Sequence, residues 1–242
     1  MVFFLRLTFV IFWFCICCFF GTVLSLFFWK HRKLTHFIGV MFGSVVLKIC
    51  NIKCNVEGEA YLSDAQPCVF VGNHQTAFDV VLFGRIYPRS TVSIGKKEVL
   101  WIPFFGILFI ATNNIIIKRQ NRKSSLAGLS KATQAIKEKN MSILIFPEGT
   151  RNKKGDEPLL PFKKGAFHMA IEAQVPIVPM VCSSTRSCVS LSRRLLGSAE
   201  INMKILPPIE TKGMKIEDVE LLLEKIRTQM IQTFTELKTN TY

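Results

Sequence analysis

Acidic residues are scarce in this chain: 17 Asp and Glu stand against 31 Lys and Arg, a formal charge of +14. Histidine is scarcer, with four in all, and His31, His36 and His168 stand at no metal-ligand spacing. No metal site is therefore expected. There is no Gly-x-Ser-x-Gly elbow and no cysteine placed beside a histidine, which removes the usual nucleophiles of acyl-enzyme chemistry. With three Trp, three Tyr and no recognition module, nucleic acid is a poor partner for the positive charge. Repeats, low-complexity tracts and long linkers are also missing. The eight cysteines form no disulfide framework: Cys15, Cys17 and Cys18 sit in an apolar run and the other five lack zinc-finger spacing. Cys15 and Cys18 match the spacing of a redox pair, but an apolar helix offers nothing to lower a thiol pKa, so packing is the reading taken. Reduced thiols fit a cytosolic domain.

What the chain has in abundance is apolar sequence, concentrated at its start. From Val2 to Trp29 the only charged residue is Arg6, a run long enough to cross a hydrocarbon layer of about 30 Å as a helix. It is too long for the core of a signal peptide, and its basic cluster, Lys30-His31-Arg32-Lys33, follows the run instead of preceding it. A retained anchor is expected, and the positive-inside rule then puts the rest of the chain on the cytoplasmic face, which in a bacterium is that of the inner membrane. A second stretch, Phe37 to Ile49, is short for a span. It packs on the first helix, lies within one leaflet, or serves as a buried core helix. Residues 1–50 thus form an anchoring unit and 51–242 one globular domain. Short basic clusters, such as Lys96-Lys97, Lys153-Lys154 and Lys163-Lys164, suit anionic lipid or a phosphorylated substrate.

After Asn51, short apolar runs alternate with amphipathic stretches. Strands are expected near Cys50–Val56, Pro67–Gly72, Thr91–Ile94, Asn114–Ile117, Ser142–Phe146, Ile177–Cys182 and Ile201–Leu206. Helices are expected at Ala77–Ile86, Pro103–Phe109, Lys123–Glu138, Lys164–Ala173 and Ile216–Leu237. The alternation predicts an α/β fold, a mostly parallel central sheet covered by helices on both faces. In such sheets the site gathers at the strands' C-terminal ends.

Two motifs fall at such ends. The first, Asn73-His74-Gln75-Thr76-Ala77-Phe78-Asp79, follows an apolar strand. Five residues along a helix rotate a side chain by roughly 140°, so His74 and Asp79 meet only if His74 sits in the loop before the helix. Gly72 and Asn73 permit that turn. An imidazole oriented by a carboxylate is a general base. The second motif, Phe146-Pro147-Glu148-Gly149-Thr150-Arg151, puts a carboxylate and an arginine at a turn, where Gly149 allows close backbone approach and Arg151 can clamp phosphate. Taken singly, each motif also reads as an ordinary structural turn.

Together and in this order, the two motifs resemble those of the glycerolipid acyltransferase family, in particular its bacterial-type 1-acyl-glycerol-3-phosphate branch. The likeness runs from about position 67 to 182, through Gly95-Lys96-Lys97-Glu98-Val99, Trp101-Ile102-Pro103-Phe104-Phe105-Gly106 and Pro161-Phe162-Lys163-Lys164-Gly165-Ala166. The apolar N-terminus is similar to the two-helix membrane motif of some members. The resemblance implies direct acyl transfer, from acyl-CoA or acyl-carrier protein and without a further cofactor, to the sn-2 hydroxyl of lysophosphatidic acid. His74 would be the base and Asp79 its orienting acid. Lys97, Arg119 and Arg151 would hold phosphate, Glu148 would position the glycerol, and Asn73, Gly149 and Thr150 would complete the substrate site. Where the family has Asp-Arg, this chain has Lys118-Arg119, which adds positive charge near an anionic headgroup. Glycerol-3-phosphate or another lysophospholipid remains an alternative acceptor. A non-catalytic, membrane-anchored binder of anionic ligands is the alternative of another class.

Overall fold

The computed structural model of the chain describes residues 1–31, 33–117, 122–153, 155, 157–237 and 240–241. In chain order, helices α1 (Val2–Phe27) and α2 (Leu34–Ile49) lead into β1 (Ile52–Glu57), a single turn α3 (Tyr61–Asp64) and β2 (Val69–Gly72). There follow α4 (Asp79–Arg85), β3 (Thr91–Lys96), a 3-10 turn (Lys97–Trp101), α5 (Phe105–Ala111), β4 (Ile115–Ile117), α6 (Arg122–Lys139) and β5 (Ser142–Ile145). The chain continues through α7 (Gly165–Ala173), β6 (Ile177–Cys182), a hairpin of β7 (Val189–Ser190) and β8 (Leu195–Leu196), and β9 (Ala199–Ile205). A second 3-10 turn (Ile216–Asp218), α8 (Val219–Glu236) and β10 (Asn240–Thr241) complete it.

The sheet runs in the order β1-β9-β6-β2-β5-β3-β4, with β10 added on β9. Among the described residues, all pairings in this sheet are parallel except β6 with β9 and β10 with β9. The expected strands and helices are present, most with ends shifted by one or two residues. Pleating divides the buried strand residues between two cores. Phe70, Leu144 and Met180 face the side of α1, α2 and α4, while Val69, Ile143 and Val181 face α6, α7 and α8. Burial on both faces is why these strands read as nearly continuous apolar runs.

The strand order positions the site. Although β3 and β4 come between them in sequence, β2 and β5 are neighbours, with Val71 opposite Ile145. The loops leaving their C-terminal ends, which carry the two motifs, therefore start side by side.

The second apolar stretch forms α2, which packs both on the first helix, where Phe14 meets Phe42 edge-on at 5.7 Å, and into the core. α2 buries Ile38, Phe42, Val46 and Leu47 and approaches α4 so closely that a Cβ on Gly43 would lie 2.5 Å from the Val81 carbonyl oxygen. α1 has the length and apolarity to cross a bilayer. Near its start, Arg6 donates to the Leu196 carbonyl (3.0 Å) and the Ser198 hydroxyl (3.2 Å). Just past its end, the Lys30 N–H donates to the Ala111 carbonyl (2.8 Å). A helix about 39 Å long is thus bonded near both ends to the rest of the chain. One stripe of α1, with Cys17, Cys18, Gly21 and Ser25, is buried, and the opposite stripe exposes Phe4, Phe9, Phe12, Phe19, Phe20 and Phe27. That outer stripe associates the protein with membrane.

Candidate active site

His74 lies in the loop between β2 and α4, and Asp79 is the first residue of α4, so the two side chains can turn toward one another. His74 Nδ1 stands 2.6 Å from Asp79 Oδ2. The same oxygen accepts the backbone N–H groups of Gln75 (2.7 Å) and Thr76 (3.1 Å). A carboxylate can only accept, so Nδ1 carries the proton and Nε2 is left as the basic nitrogen. Asp79 is fully buried, whereas the His74 side chain keeps 14% of its surface open. The Phe146 ring stacks on the imidazole at 4.3 Å between centroids, and Phe83 meets Phe146 edge-on at 5.2 Å. Gly72 leaves the room this needs, since a Cβ there would fall 2.7 Å from the Phe83 ring.

The second motif grips the backbone of the first. Glu148 Oε1 accepts the His74 N–H (2.6 Å), and the Asn152 N–H donates to the His74 carbonyl (2.8 Å). Glu148 Oε2 accepts the Leu160 N–H (2.9 Å). With both oxygens engaged by main-chain N–H groups and the side chain buried, Glu148 holds two loops together. Asn73 also bonds to main chain. It is fully buried, donating to the Cys182 carbonyl (2.9 Å) and accepting the Cys182 N–H (2.8 Å), so it fastens the loop to the end of β6.

Sequence reasoning missed three contributors. Gln75 bridges the carbonyls of Cys182 and Ser183 and the N–H of Thr185. Asn152 continues the clamp by donating to the Glu157 carbonyl (2.8 Å). Phe146 is the platform under the base. All three are polar or aromatic residues within or next to a motif, and that adjacency was the available signal. Cys182 is near but is no nucleophile, because burial pushes its thiol well above the ordinary range.

The pair faces a cavity of about 400 Å³ between α1, α2, α4 and α5. Its walls are chiefly apolar, with Phe14, Ile38, Phe42, Phe83, Leu108 and Phe109 among them. Thr150, Arg151, Lys96 and Lys153 line the same cavity. Among the described lining residues it is Lys96, and not the expected Lys97, that reaches the cavity, because Lys97 opens the exposed 3-10 turn. Gly149 makes the bend before Thr150 with φ +67°. Arg119, Lys118 and Lys154 lie outside the described residues.

A family model described as "Acyltransferase" matches residues 53–183, more than half of the chain and both motifs. The chain belongs to the acyltransferase family. Its relatives include the 1-acyl-sn-glycerol-3-phosphate acyltransferase of Haemophilus influenzae, 42% identical over 70% of this chain and 69% of that protein. The Escherichia coli enzyme of the same name is 35% identical over 98% of this chain and 95% of its own length. The crystal structure of the 1-acyl-sn-glycerophosphate acyltransferase of Thermotoga maritima superposes with a TM-score of 0.77, covering 98% of this chain and 97% of that one at 23% identity. At that identity the likeness establishes the fold.

The buried carboxyl of Glu148 gives this acyltransferase a pH signature. Desolvation raises its pKa above the ordinary glutamate range, against the opposing pull of its two backbone hydrogen bonds. The folded state then binds more protons than the unfolded one in the interval above about pH 4.3. Stability is fully present below that interval and falls as pH rises through the folded pKa. Glu148→Gln removes this titration but sets an amide N–H against one of the two backbone donors, costing about 1–3 kcal/mol. Thermal melts in detergent should show the wild type more stable at pH 5, with its lead narrowing toward pH 8. A constant gap would remove the role given to desolvation.

Proposed function

We propose that this acyltransferase moves a fatty acyl group from acyl-CoA or acyl-carrier protein to the sn-2 hydroxyl of 1-acyl-sn-glycerol-3-phosphate, giving phosphatidic acid. The observation that carries this reading is a base oriented by a buried carboxylate on the wall of a chiefly apolar cavity, with Lys96, Arg151 and Lys153 also lining it. The names of the H. influenzae and E. coli relatives support the choice of acceptor.

His74 Nε2 takes the proton of the sn-2 hydroxyl as its oxygen bonds to the thioester carbonyl carbon. Asp79 stabilises the imidazolium formed. The tetrahedral intermediate collapses, the C–S bond breaks, and the departing thiolate takes the proton back from His74. The basic side chains hold the phosphate, and the cavity receives an acyl chain. Neither a metal nor a further cofactor is needed for this transfer. In the same reading α1 lies in one leaflet, on the cytoplasmic side, where Lys30 and Lys33 meet anionic headgroups.

Purified full-length protein in detergent, supplied with acyl-CoA or acyl-carrier protein, should acylate lysophosphatidic acid at least tenfold faster than glycerol-3-phosphate or lysophosphatidylcholine. Faster transfer to either competitor would overturn the assignment of acceptor.

A further inference from the structure

The catalytic domain carries a second apolar surface that the reaction does not use. It spans the end of the first 3-10 turn and α5, where Leu100, Trp101, Ile102, Phe104, Ile107 and Ile110 are all exposed, Trp101 by 77%. Ile107 and Ile110 sit three residues apart on one face of α5, while Gly106, Leu108 and Phe109 on the other are buried. Six large apolar side chains gathered on one short segment make a patch of the kind that marks a binding surface.

Several features give this patch one occupant. It continues the lipid-facing stripe of α1: Phe19 of that stripe meets the Phe104 ring edge-on at 5.8 Å, and Thr22 donates to the Phe104 carbonyl (3.0 Å). Phe104 is held at φ +59°, a conformation a bulky residue rarely adopts, and its side chain stays outward against α1. The turn packs closely on α5, since a Cβ on Gly106 would lie 2.4 Å from the Leu100 carbonyl oxygen. Basic residues flank the patch, with Lys96 and Lys97 before it and Lys30 bonded to Ala111 after it. Glu98 is the one acid on the first flank. Apolar tips bounded by lysines, with a tryptophan among them, match a leaflet's layering of hydrocarbon under headgroups.

We propose that Leu100–Ile110 is a second membrane-inserting element, a wedge that enters the same leaflet as α1. Val99, Phe105, Leu108 and Phe109 line the catalytic cavity from the wedge's inner side. The wedge therefore sets the cavity wall at the bilayer, where a lysolipid can pass into the site without crossing water.

The chain has three tryptophans, Trp13, Trp29 and Trp101. A Trp13→Phe, Trp29→Phe protein leaves Trp101 as the only indole. In vesicles of phosphatidylethanolamine and phosphatidylglycerol, its emission should shift to the blue and be quenched at least twofold by lipids brominated on the acyl chain. Aqueous iodide should quench it weakly. Strong iodide quenching without bromolipid quenching would overturn the wedge. So would a dimer in detergent that dissociates when Trp101 and Ile107 are both changed to Glu, since the occupant would then be a second copy. The quenching is read without turnover, so it stands or falls apart from the acceptor assignment. In the activity assay, Trp101→Glu, Ile107→Glu should lose at least tenfold on substrate embedded in vesicles and little on a short-chain acceptor dissolved below its micelle concentration. Equal loss on both would also count against the wedge.

Discussion

Replacing His74 with alanine is expected to lower kcat by about two to four orders of magnitude while leaving the protein folded. The reason is local. The Asp79 contact at 2.6 Å fixes the proton on Nδ1 and leaves Nε2 as the group able to accept a hydroxyl proton. The fold does not depend on that ring. The loop is held through the His74 backbone, by Glu148 at the N–H and Asn152 at the carbonyl, and both bonds survive loss of the side chain. A partly exposed imidazole stacked on Phe146 contributes about 1 kcal/mol to stability, within the ordinary range for such a site. Turnover with saturating substrates, measured beside a thermal melt, separates the two effects. A loss of less than tenfold with an unchanged melt would remove His74 from the role of base.

Asp79 provides the second large effect, and two replacements divide it. A single oxygen, Oδ2, accepts the His74 ring and two backbone N–H groups. In Asp79→Asn the amide oxygen can take the place of Oδ2 and keep all three bonds, so what is lost is the negative charge that stabilises the imidazolium. A drop in kcat of at least about a hundredfold with little change in melting is expected. In Asp79→Ala the N–H groups of Gln75 and Thr76 lose their acceptor in a buried site, at about 1–3 kcal/mol each. Activity should then fall further and the melting temperature drop by several degrees. If Asn and Ala melt alike, the carboxylate does not organise the loop. If Asn retains full turnover, its charge has no part in the reaction.

The two motifs differ in how their parts divide the work. From sequence alone, Glu148 and Asn73 look like groups waiting for a substrate, because polar residues at strand ends usually face the ligand. In the fold each is buried and bonded to main chain, and the charges that line the cavity are Arg151, Lys153 and Lys96. Burial separates the two sets, and burial depends on which loop lies over which. The same holds for α1. Its composition makes it an apolar helix of spanning length, but only the fold shows that Arg6 and the main chain at Lys30 bond to residues 190 and 81 positions further along.

The sequence by itself determined the elements and the chemistry available. Pleated alternation, helical periodicity and turn-forming residues are local, so β2, β5 and α4 could be read before any contact was known. So could the need for His74 to sit ahead of the helix, because the angular step along a helix is fixed by backbone geometry. Tertiary structure alone decided which strands became neighbours. Placing β5 beside β2 brought residues 74 positions apart, His74 and Glu148, into one hydrogen bond. Packing α1 and α2 against α4 and α5 closed an apolar cavity that no single segment encodes. Pairing of distant strands and packing of distant helices depend on the summed burial of the whole chain, and local pattern carries no record of that sum.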